Sequence, residues 1–242
     1  MSGDRKLPSA PGGASGGNAI DAFVREVSRL PATRGGAGRG RLLFALDATA
    51  SREPTWDQAC SLQGEMFVAT AALGGLEVRL AFYRGFDEFK VSRWTAEGVK
   101  LARLMGAVRC LAGRTQIARL LRHAAQERRE GRLDAVVFVG DACEEDVDAV
   151  GHEAGKLGLL GVPVFVFHEG SDATASRLFP QIAKLTRGAY CRFDRSSPDQ
   201  LRRLLGAVAA YAAGGARALE AYGREKGGPV PLLTRQVKGD QR

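Results

Sequence analysis

Residues 41–51 read RLLFALDATAS, a nearly continuous apolar run that ends in one carboxylate and two hydroxyls. Such a run is typical of a strand that is buried on both faces, as the central strands of parallel sheets are. Asp47, Thr49 and Ser51 follow at alternating positions directly after the run. The stretch therefore predicts a central strand over 41–46 with oxygen-bearing side chains at its carboxyl end.

Two further apolar runs have the same character, DAVVFVG at 134–140 and VPVFVFH at 162–168. The segments 76–83 and 88–94 alternate apolar and polar residues on either side of a turn, which predicts an antiparallel hairpin at the edge of a sheet. In the first of these segments the alternation places Ala81 on the outward, solvent-facing side.

Helical patterns separate the strands. We predict helices over 55–73, 95–105, 115–129, 145–157, 173–185 and 197–213, and a short last strand over 190–193. This alternation predicts an α/β fold: a doubly wound, mostly parallel six-stranded sheet with an antiparallel edge hairpin and helices on both faces.

The predicted domain covers residues 40–214. Residues 1–39 form a Gly-rich N-terminal extension with one short amphipathic helix at 18–30, and residues 215–242 form a basic helix end and tail. Such linker compositions are expected to contribute little to the stability of the core.

The composition provides for a folded core, with 45% hydrophobic and 26% charged residues. No stretch approaches the roughly 18–20 apolar residues of a membrane-spanning helix. The first residues run into Gly and Ser rather than into an apolar signal segment. We therefore expect a cytoplasmic protein without a membrane partner. The four cysteines and three histidines lack the spacing of a zinc site.

The net charge of +8 lies mostly at the two ends, because residues 1–40 and 217–242 contribute +3 each. A nearly neutral core with basic ends favours weak, salt-sensitive association with nucleic acid over a dedicated groove. The arginine-rich segment 119–132 is expected to be an exposed helix face. An alternative function is therefore a nucleic-acid-associated protein that uses its basic tails and the 119–132 face.

Ligands of doubly wound sheets bind outside the carboxyl ends of the strands. Asp47, Thr49 and Ser51 follow one predicted strand, and Asp141 follows the strand at 134–140. Oxygen ligands alone suit a hard cation such as Mg²⁺. The same residue types are also suited to cap the helices that follow them, so a purely structural role stays open.

Asp47-x-Thr49-x-Ser51 resembles the DxSxS element of von Willebrand factor A (VWA) domains, which belongs to their metal-ion-dependent adhesion site. That site also needs a distant threonine ahead of a helix and an aspartate that ends the next buried strand. Thr115 and Asp141 stand in those places, in the right order. The resemblance extends over the whole predicted domain, including the edge hairpin.

The resemblance implies that the hydroxyls of Thr49, Ser51 and Thr115 bind Mg²⁺ or Mn²⁺, with Asp47 and Asp141 acting directly or through water. The ion then keeps an open position that an Asp or Glu of a partner protein fills. Intracellular VWA proteins commonly work inside larger assemblies, including ATPase-linked complexes. The resemblance therefore implies a metal-dependent protein-interaction module, not an enzyme.

Several positions depart from the family pattern. Thr49 replaces the usual serine but keeps its oxygen, and Asp141-Ala142 replaces Asp-Gly. Arg52 replaces the small or apolar residue that usually follows the second hydroxyl, and Arg114 lies within a Gly-Gly-Thr-like loop. These departures remove no ligand oxygen, but Arg52 and Arg114 are expected to place positive charge beside the site.

The sequence contains no GxxxxGK[ST] loop and no HExxH helix, and no GxSxG elbow follows a predicted strand. Cys143, which follows a predicted strand end, leaves a cysteine-dependent hydrolase as a third class of function. The acidic residues after it are expected to form a solvated first helical turn that the helix dipole favours. These acids are Glu144, Glu145, Asp146 and Asp148.

Overall fold

The computed structural model describes residues 39–52, 75–193 and 198–225 of the 242-residue chain. The helices predicted over 18–30 and 55–73 lie outside the described residues.

Among the described residues, six strands form one sheet. Their bounds are β1 Gly40–Asp47, β2 Leu76–Arg84, β3 Glu88–Val91, β4 Ala135–Gly140, β5 Val164–Glu169 and β6 Ala189–Phe193. The strands lie in the order β3-β2-β1-β4-β5-β6. β3 pairs with β2 in antiparallel orientation, and every other pair is parallel. The predicted mostly parallel sheet with an antiparallel edge hairpin is thereby confirmed.

Helices cover both faces of this sheet, as predicted. Their bounds are α1 Gly98–Gly106, α2 Ile117–Glu130, α3 Val147–Leu159, α4 Ala173–Leu185 and α5 Pro198–Glu225. Buried residues of α1 and α5 pack on one face, and those of α2, α3 and α4 pack on the other. None of the helices in the described ranges has the length and apolar character needed to cross a membrane.

The central strand β1 supplies both halves of the core. Leu42, Phe44 and Leu46 belong to the cluster under α1 and α5, whereas Leu43 and Ala45 belong to the cluster under α2, α3 and α4. All five are at most 1% exposed. Because successive side chains of a strand point to opposite faces, a strand between two helical layers must be apolar at every position.

The second face of β2 is also buried in the later part of the strand, so the outward position predicted for Ala81 is wrong. Ala81 is fully buried and Tyr83 is 1% exposed, and both belong to the cluster under α2, α3 and α4. The alternating pattern indicates a strand with one wet face, but the helical layer of the tertiary structure covers that face.

α5 leaves the helical conformation at Gly215, next to the predicted helix end at 213, and a second helical segment then continues to Glu225. Gly215 has a φ of 69°, a conformation that glycine adopts without the steric penalty of a Cβ atom. Beyond it, Ala218 is 6% exposed and Tyr222 packs against the core. The segment after Gly215 therefore adds buried surface to the folded body.

Candidate metal centre

Four of the predicted ligands lie at the carboxyl ends of two neighbouring strands. Asp47 is the last residue of β1, and Thr49 and Ser51 follow it in the turn and the short 3-10 helix Ala50–Arg52. Asp141 directly follows β4, which pairs with β1 in parallel. The strand register thus brings two carboxylates and two hydroxyls to the same edge of the sheet.

Two hydrogen bonds tie Thr115 and the loop that carries it to the same edge. The N–H of Leu111 donates to the carbonyl of Ala48 at 3.1 Å, which joins the loop ahead of α2 to the turn after β1. The N–H of Glu144 donates to Thr115 Oγ1 at 3.2 Å, which joins Thr115 to the loop after β4. The fold therefore connects all five predicted ligands through the loops of one edge.

The loop that carries Thr115 passes close to the β2–β3 turn. A Cβ atom at position 113 would lie 1.8 Å from the carbonyl oxygen of Gly85, so this approach requires Gly113. The next N–H, that of Arg114, donates to the same carbonyl at 3.0 Å. The residue Arg114 itself is exposed, so its charge is open to solvent at the rim of the site.

Asp47 is fully buried, and both of its carboxylate oxygens accept hydrogen bonds. The Thr49 N–H donates to Oδ1 at 2.8 Å, and the Tyr83 hydroxyl donates to Oδ2 at 3.0 Å. Burial raises the pKa of Asp47 to about 6; the Thr49 hydrogen bonds oppose this shift, and the negative charge of Asp141 adds to it. Burial and the Asp47 carboxylate together raise the pKa of Tyr83 well above its usual range, so Tyr83 stays a donor.

Asp141 carries the clearest sign that the site can take a cation. Its Oδ1 atom is buried and has no hydrogen-bond partner. An unsatisfied buried carboxylate oxygen costs free energy, and a cation is the partner that would remove this cost. In the turn after β1, Thr49 Oγ1 and Ser51 Oγ lie 3.0 Å apart. Carboxylate and hydroxyl oxygens are donors that suit Mg²⁺ and Mn²⁺.

A metal site made of His, Cys, Asp or Glu side chains alone is a different kind of centre from the one predicted. In the part of the chain that the structure describes, no three His, Cys, Asp or Glu side chains come together as a metal site. A metal ion at this edge would therefore need hydroxyl ligands beside its carboxylates.

If Thr115 had a purely structural role, its side chain would cap the start of α2. A different residue caps this helix. The cap position of α2 is Gln116, which makes no side-chain cap bond. Instead, the Glu145 carboxylate accepts from the N–H groups of Ile117 and Ala118, the second at 3.0 Å. The Thr115 hydroxyl is thus not used to begin the helix.

The prediction that Glu144 and Glu145 belong to the first turn of the following helix is wrong. α3 begins at Val147, and Asp146 caps it by accepting from the Ala149 N–H at 2.7 Å. Glu144 and Glu145 lie ahead of that helix and bind backbone N–H groups around the start of α2. The N–H groups at the start of a helix have no partner within the helix, and the helix dipole favours negative charge there.

A buried ion pair between Arg52 and Glu169 lies at the same edge of the sheet. Each side chain is 1% exposed, and the Arg52 guanidinium contacts the Glu169 carboxylate. Burial lowers the pKa of Arg52, whereas the negative charges of Asp141 and Asp47 favour its charged form. The expected positive charge of Arg52 beside the site is thereby confirmed.

Glu169 is a residue of this edge that the sequence reasoning did not include in the candidate site. It is the last residue of β5, a position equivalent to that of Asp47 in β1. Its place directly after the apolar run at 162–168 was the available signal, since the carboxyl ends of parallel strands meet at one edge. No local feature of the sequence indicates that its partner is Arg52.

The charges of this edge do not balance without a further cation. When Asp47, Asp141 and Glu169 are ionised and Arg52 is protonated, these four groups sum to a charge of −2. Buried charge that is not compensated is costly. A single divalent cation would bring the sum to zero, so the residues present fit such an ion.

Cys143 does not have the environment of a catalytic nucleophile. It is 5% exposed, and burial raises the pKa of its thiol to about 11. Reactive cysteines depend on a lowered pKa, because the thiolate is the attacking species. The geometry therefore disfavours a hydrolase centred on Cys143.

The arginine-rich 119–132 face is exposed, as predicted, but acidic residues offset much of its charge. Arg119 pairs with Asp87 at 2.7 Å, and Arg122 approaches Glu153 at 3.5 Å. Arg132 pairs with Asp134 at 2.8 Å. These pairs reduce the positive field that a phosphate backbone would need.

Several solved structures resemble this chain. A von Willebrand factor type A protein from Catenulispora acidiphila matches with a TM-score of 0.58 and 15% identity, over 72% of this chain and 43% of that one. The VWA domain of SpRpn10 matches with a TM-score of 0.55 and 13% identity, over 69% of this chain and 94% of that domain. The proximal thread matrix protein 1 of the mussel byssus, solved with a zinc-occupied MIDAS motif, matches with a TM-score of 0.55 and 16% identity.

Two of these matches cover less than half of the matched chain. The chain spans less than half of the Catenulispora protein, and its match with the mussel protein covers 72% of this chain and 46% of that one. No protein-family model and no curated protein matches the sequence. At such low identity a structural likeness carries the fold alone. The chain has the α/β fold of VWA domains.

Proposed function

We propose that this chain is a protein-interaction module in which one Mg²⁺ or Mn²⁺ ion accepts a carboxylate from a partner protein. The buried, unpartnered Oδ1 of Asp141 beside the buried Asp47 is the observation that carries this proposal. A zinc-occupied adhesion-site motif in a protein of the same fold supports a divalent ion at this edge. The proposal includes no enzymatic activity of the chain itself.

Each ligand has a role that its contacts support. Asp47 is held by Thr49 and Tyr83, so its charge is fixed in place. The Thr115 hydroxyl accepts one hydrogen bond from the Glu144 N–H and keeps a further lone pair for an ion. When bound, the ion would supply a positive centre with a vacant coordination position.

The surroundings of the site suit an acidic partner. Ser51 and Arg114 are exposed, so the edge is open to a macromolecule. A partner Asp or Glu that enters the vacant position makes a charge-assisted contact, and Arg114 adds positive charge at the rim. We include in the proposal that the partner belongs to a larger cytoplasmic assembly, with an ATPase-linked complex as one form of it.

Titration calorimetry with Mn²⁺ tests metal binding. We expect one site per chain in the wild type and none in Asp47→Ala, because the substitution removes a buried carboxylate. Asp87→Ala is the matched control, since the Asp87 side chain is 93% exposed and lies outside the site. Equal Mn²⁺ binding by the wild type and Asp47→Ala would contradict the assignment.

Partner binding is tested by recovering proteins from lysate on the immobilised chain, with Mg²⁺ or with EDTA. Proteins recovered with Mg²⁺ and lost with EDTA or with Asp47→Ala support the proposal. DNA retention that persists in EDTA and falls as salt rises would instead favour the nucleic-acid alternative.

A further inference from the structure

The Arg52–Glu169 pair spans the candidate metal centre. Arg52 lies at the end of the 3-10 helix after β1, and Glu169 ends β5. β4 lies between these two strands in the sheet. The Arg52 side chain therefore crosses the carboxyl end of β4, where Asp141 follows the strand.

The charges around Arg52 are those that would attract a metal ion. Asp141 and Asp47 both stabilise the charged guanidinium, and Glu169 contacts it directly. The pair is almost fully shielded from water, where electrostatic interactions are stronger than at a surface. An arginine keeps its positive charge under all ordinary conditions. Arg52 thus provides part of the compensation that a divalent cation would provide.

We infer that Arg52 is a built-in counter-cation, held by Glu169 across the carboxylates of the metal centre, and that it lowers the affinity of the centre for divalent cations. This inference rests on the proposed function of the same site. Its consequence is that the metal-free chain keeps its carboxylates partly neutralised. The site then fills only when the free Mg²⁺ concentration is high, so partner binding follows that concentration.

Two substitutions with opposite effects on charge test the inference. Arg52→Met removes the competing cation, so we expect the Mn²⁺ affinity to rise by about tenfold or more. Glu169→Gln removes an attractive charge and releases the guanidinium toward Asp141, so we expect the Mn²⁺ affinity to fall. Arg52→Lys keeps the charge and is expected to bind Mn²⁺ within about threefold of the wild type.

Arg52→Met alone leaves Glu169 buried without its partner, which can unfold the chain. The decisive comparison is therefore Glu169→Gln against the double variant Arg52→Met/Glu169→Gln, because in both variants position 169 carries no charge. We expect the double variant to bind Mn²⁺ about tenfold more tightly than Glu169→Gln. Circular dichroism in EDTA establishes that each variant is folded before calorimetry.

The outcomes separate this inference from the proposed function. If the wild type binds Mn²⁺ but the double variant binds no more tightly than Glu169→Gln, the counter-cation role is overturned and the proposed function stands. If only variants without Arg52 bind Mn²⁺, the counter-cation role is supported and the proposed function of the wild type fails. If no variant binds Mn²⁺, both are overturned.

Discussion

The carboxyl edge of the sheet and the outer face of α2 both carry arginines beside carboxylates, but in opposite surroundings. Arg52 and Glu169 are each 1% exposed. The Arg122 side chain, in contrast, is 65% exposed and lies 3.5 Å from Glu153. Exposed pairs contribute little free energy, whereas a buried charge must be compensated wherever it lies. The buried edge is therefore the region where uncompensated charge costs most, and it is where we place the proposed cation.

The largest expected effect is that of Asp141→Ala at the buried edge. Mn²⁺ binding should be lost completely, while the free energy of unfolding in EDTA stays level or rises. The substitution removes a buried oxygen without a partner and the repulsion between Asp141 and Asp47. Calorimetry and urea unfolding measure the two effects. A clearly less stable variant that loses Mn²⁺ binding only in proportion to unfolding would favour a structural role.

A pH effect of intermediate size should appear at Asp47. Its pKa is raised to about 6 by burial, so the native state keeps a proton that the unfolded state has released. Because the native state binds more protons, Asp47 makes stability fall as pH rises from about 4 to about 6, by up to about 3 kcal/mol.

Asp47→Asn should remove this loss. In EDTA, the variant should be more stable than the wild type at pH 7, and the difference should vanish only below about pH 3.5, where Asp47 is protonated in both the native and the unfolded state. Urea unfolding at several pH values measures the difference, which isolates Asp47 from the other titrating groups. A difference that does not change with pH would show that the carboxylate is not perturbed by burial.

A smaller stability effect is expected for Thr115→Ala. The loss of the hydrogen bond from the Glu144 N–H should cost about 1 kcal/mol, whereas Mn²⁺ affinity should fall strongly. Thr95→Ala is a matched control, because Thr95 is 6% exposed and its hydroxyl accepts from the Glu97 N–H at 3.1 Å. The control should lose similar stability and bind Mn²⁺ normally. Equal Mn²⁺ affinity in both variants would remove Thr115 from the site.

The smallest effect should come from the exposed face of α2. Arg122→Ala should change the free energy of unfolding by less than about 0.5 kcal/mol and leave Mn²⁺ binding unchanged. Thermal unfolding and calorimetry measure both quantities. If Arg122→Ala lowered the free energy of unfolding by more than about 2 kcal/mol, exposure would not explain the difference between the two regions.

The fold could be predicted from the sequence because each buried strand has a recognisable local pattern of apolar residues. The apolar run of β1 predicts a buried strand, and the structure has one, with Asp47 at its carboxyl end. Ala81 shows the limit of such patterns. Alternation indicates one wet face, but which faces the helices cover is decided by the whole chain.

Long-range pairing explains what the sequence could not show at the site. Arg52 and Glu169 come from two strand ends far apart in sequence, so no local pattern reveals their contact. Glu145 similarly precedes α3 in sequence but binds N–H groups of α2. Acidic residues ahead of a helix normally indicate that helix's own dipole, so the choice between two helix starts depends on tertiary structure.

Crystals grown with Mn²⁺ provide the most direct test of the central claim, since the anomalous signal of Mn²⁺ locates the ion without assumptions. The account predicts one anomalous peak per chain among Asp47, Thr49, Ser51, Thr115 and Asp141, with ligand oxygens about 2.1–2.2 Å away, slightly beyond the distance for Mg²⁺. The same experiment with Asp47→Ala should show no peak there. A map without a peak at this edge, or with the ion bound elsewhere on the chain, would contradict the account.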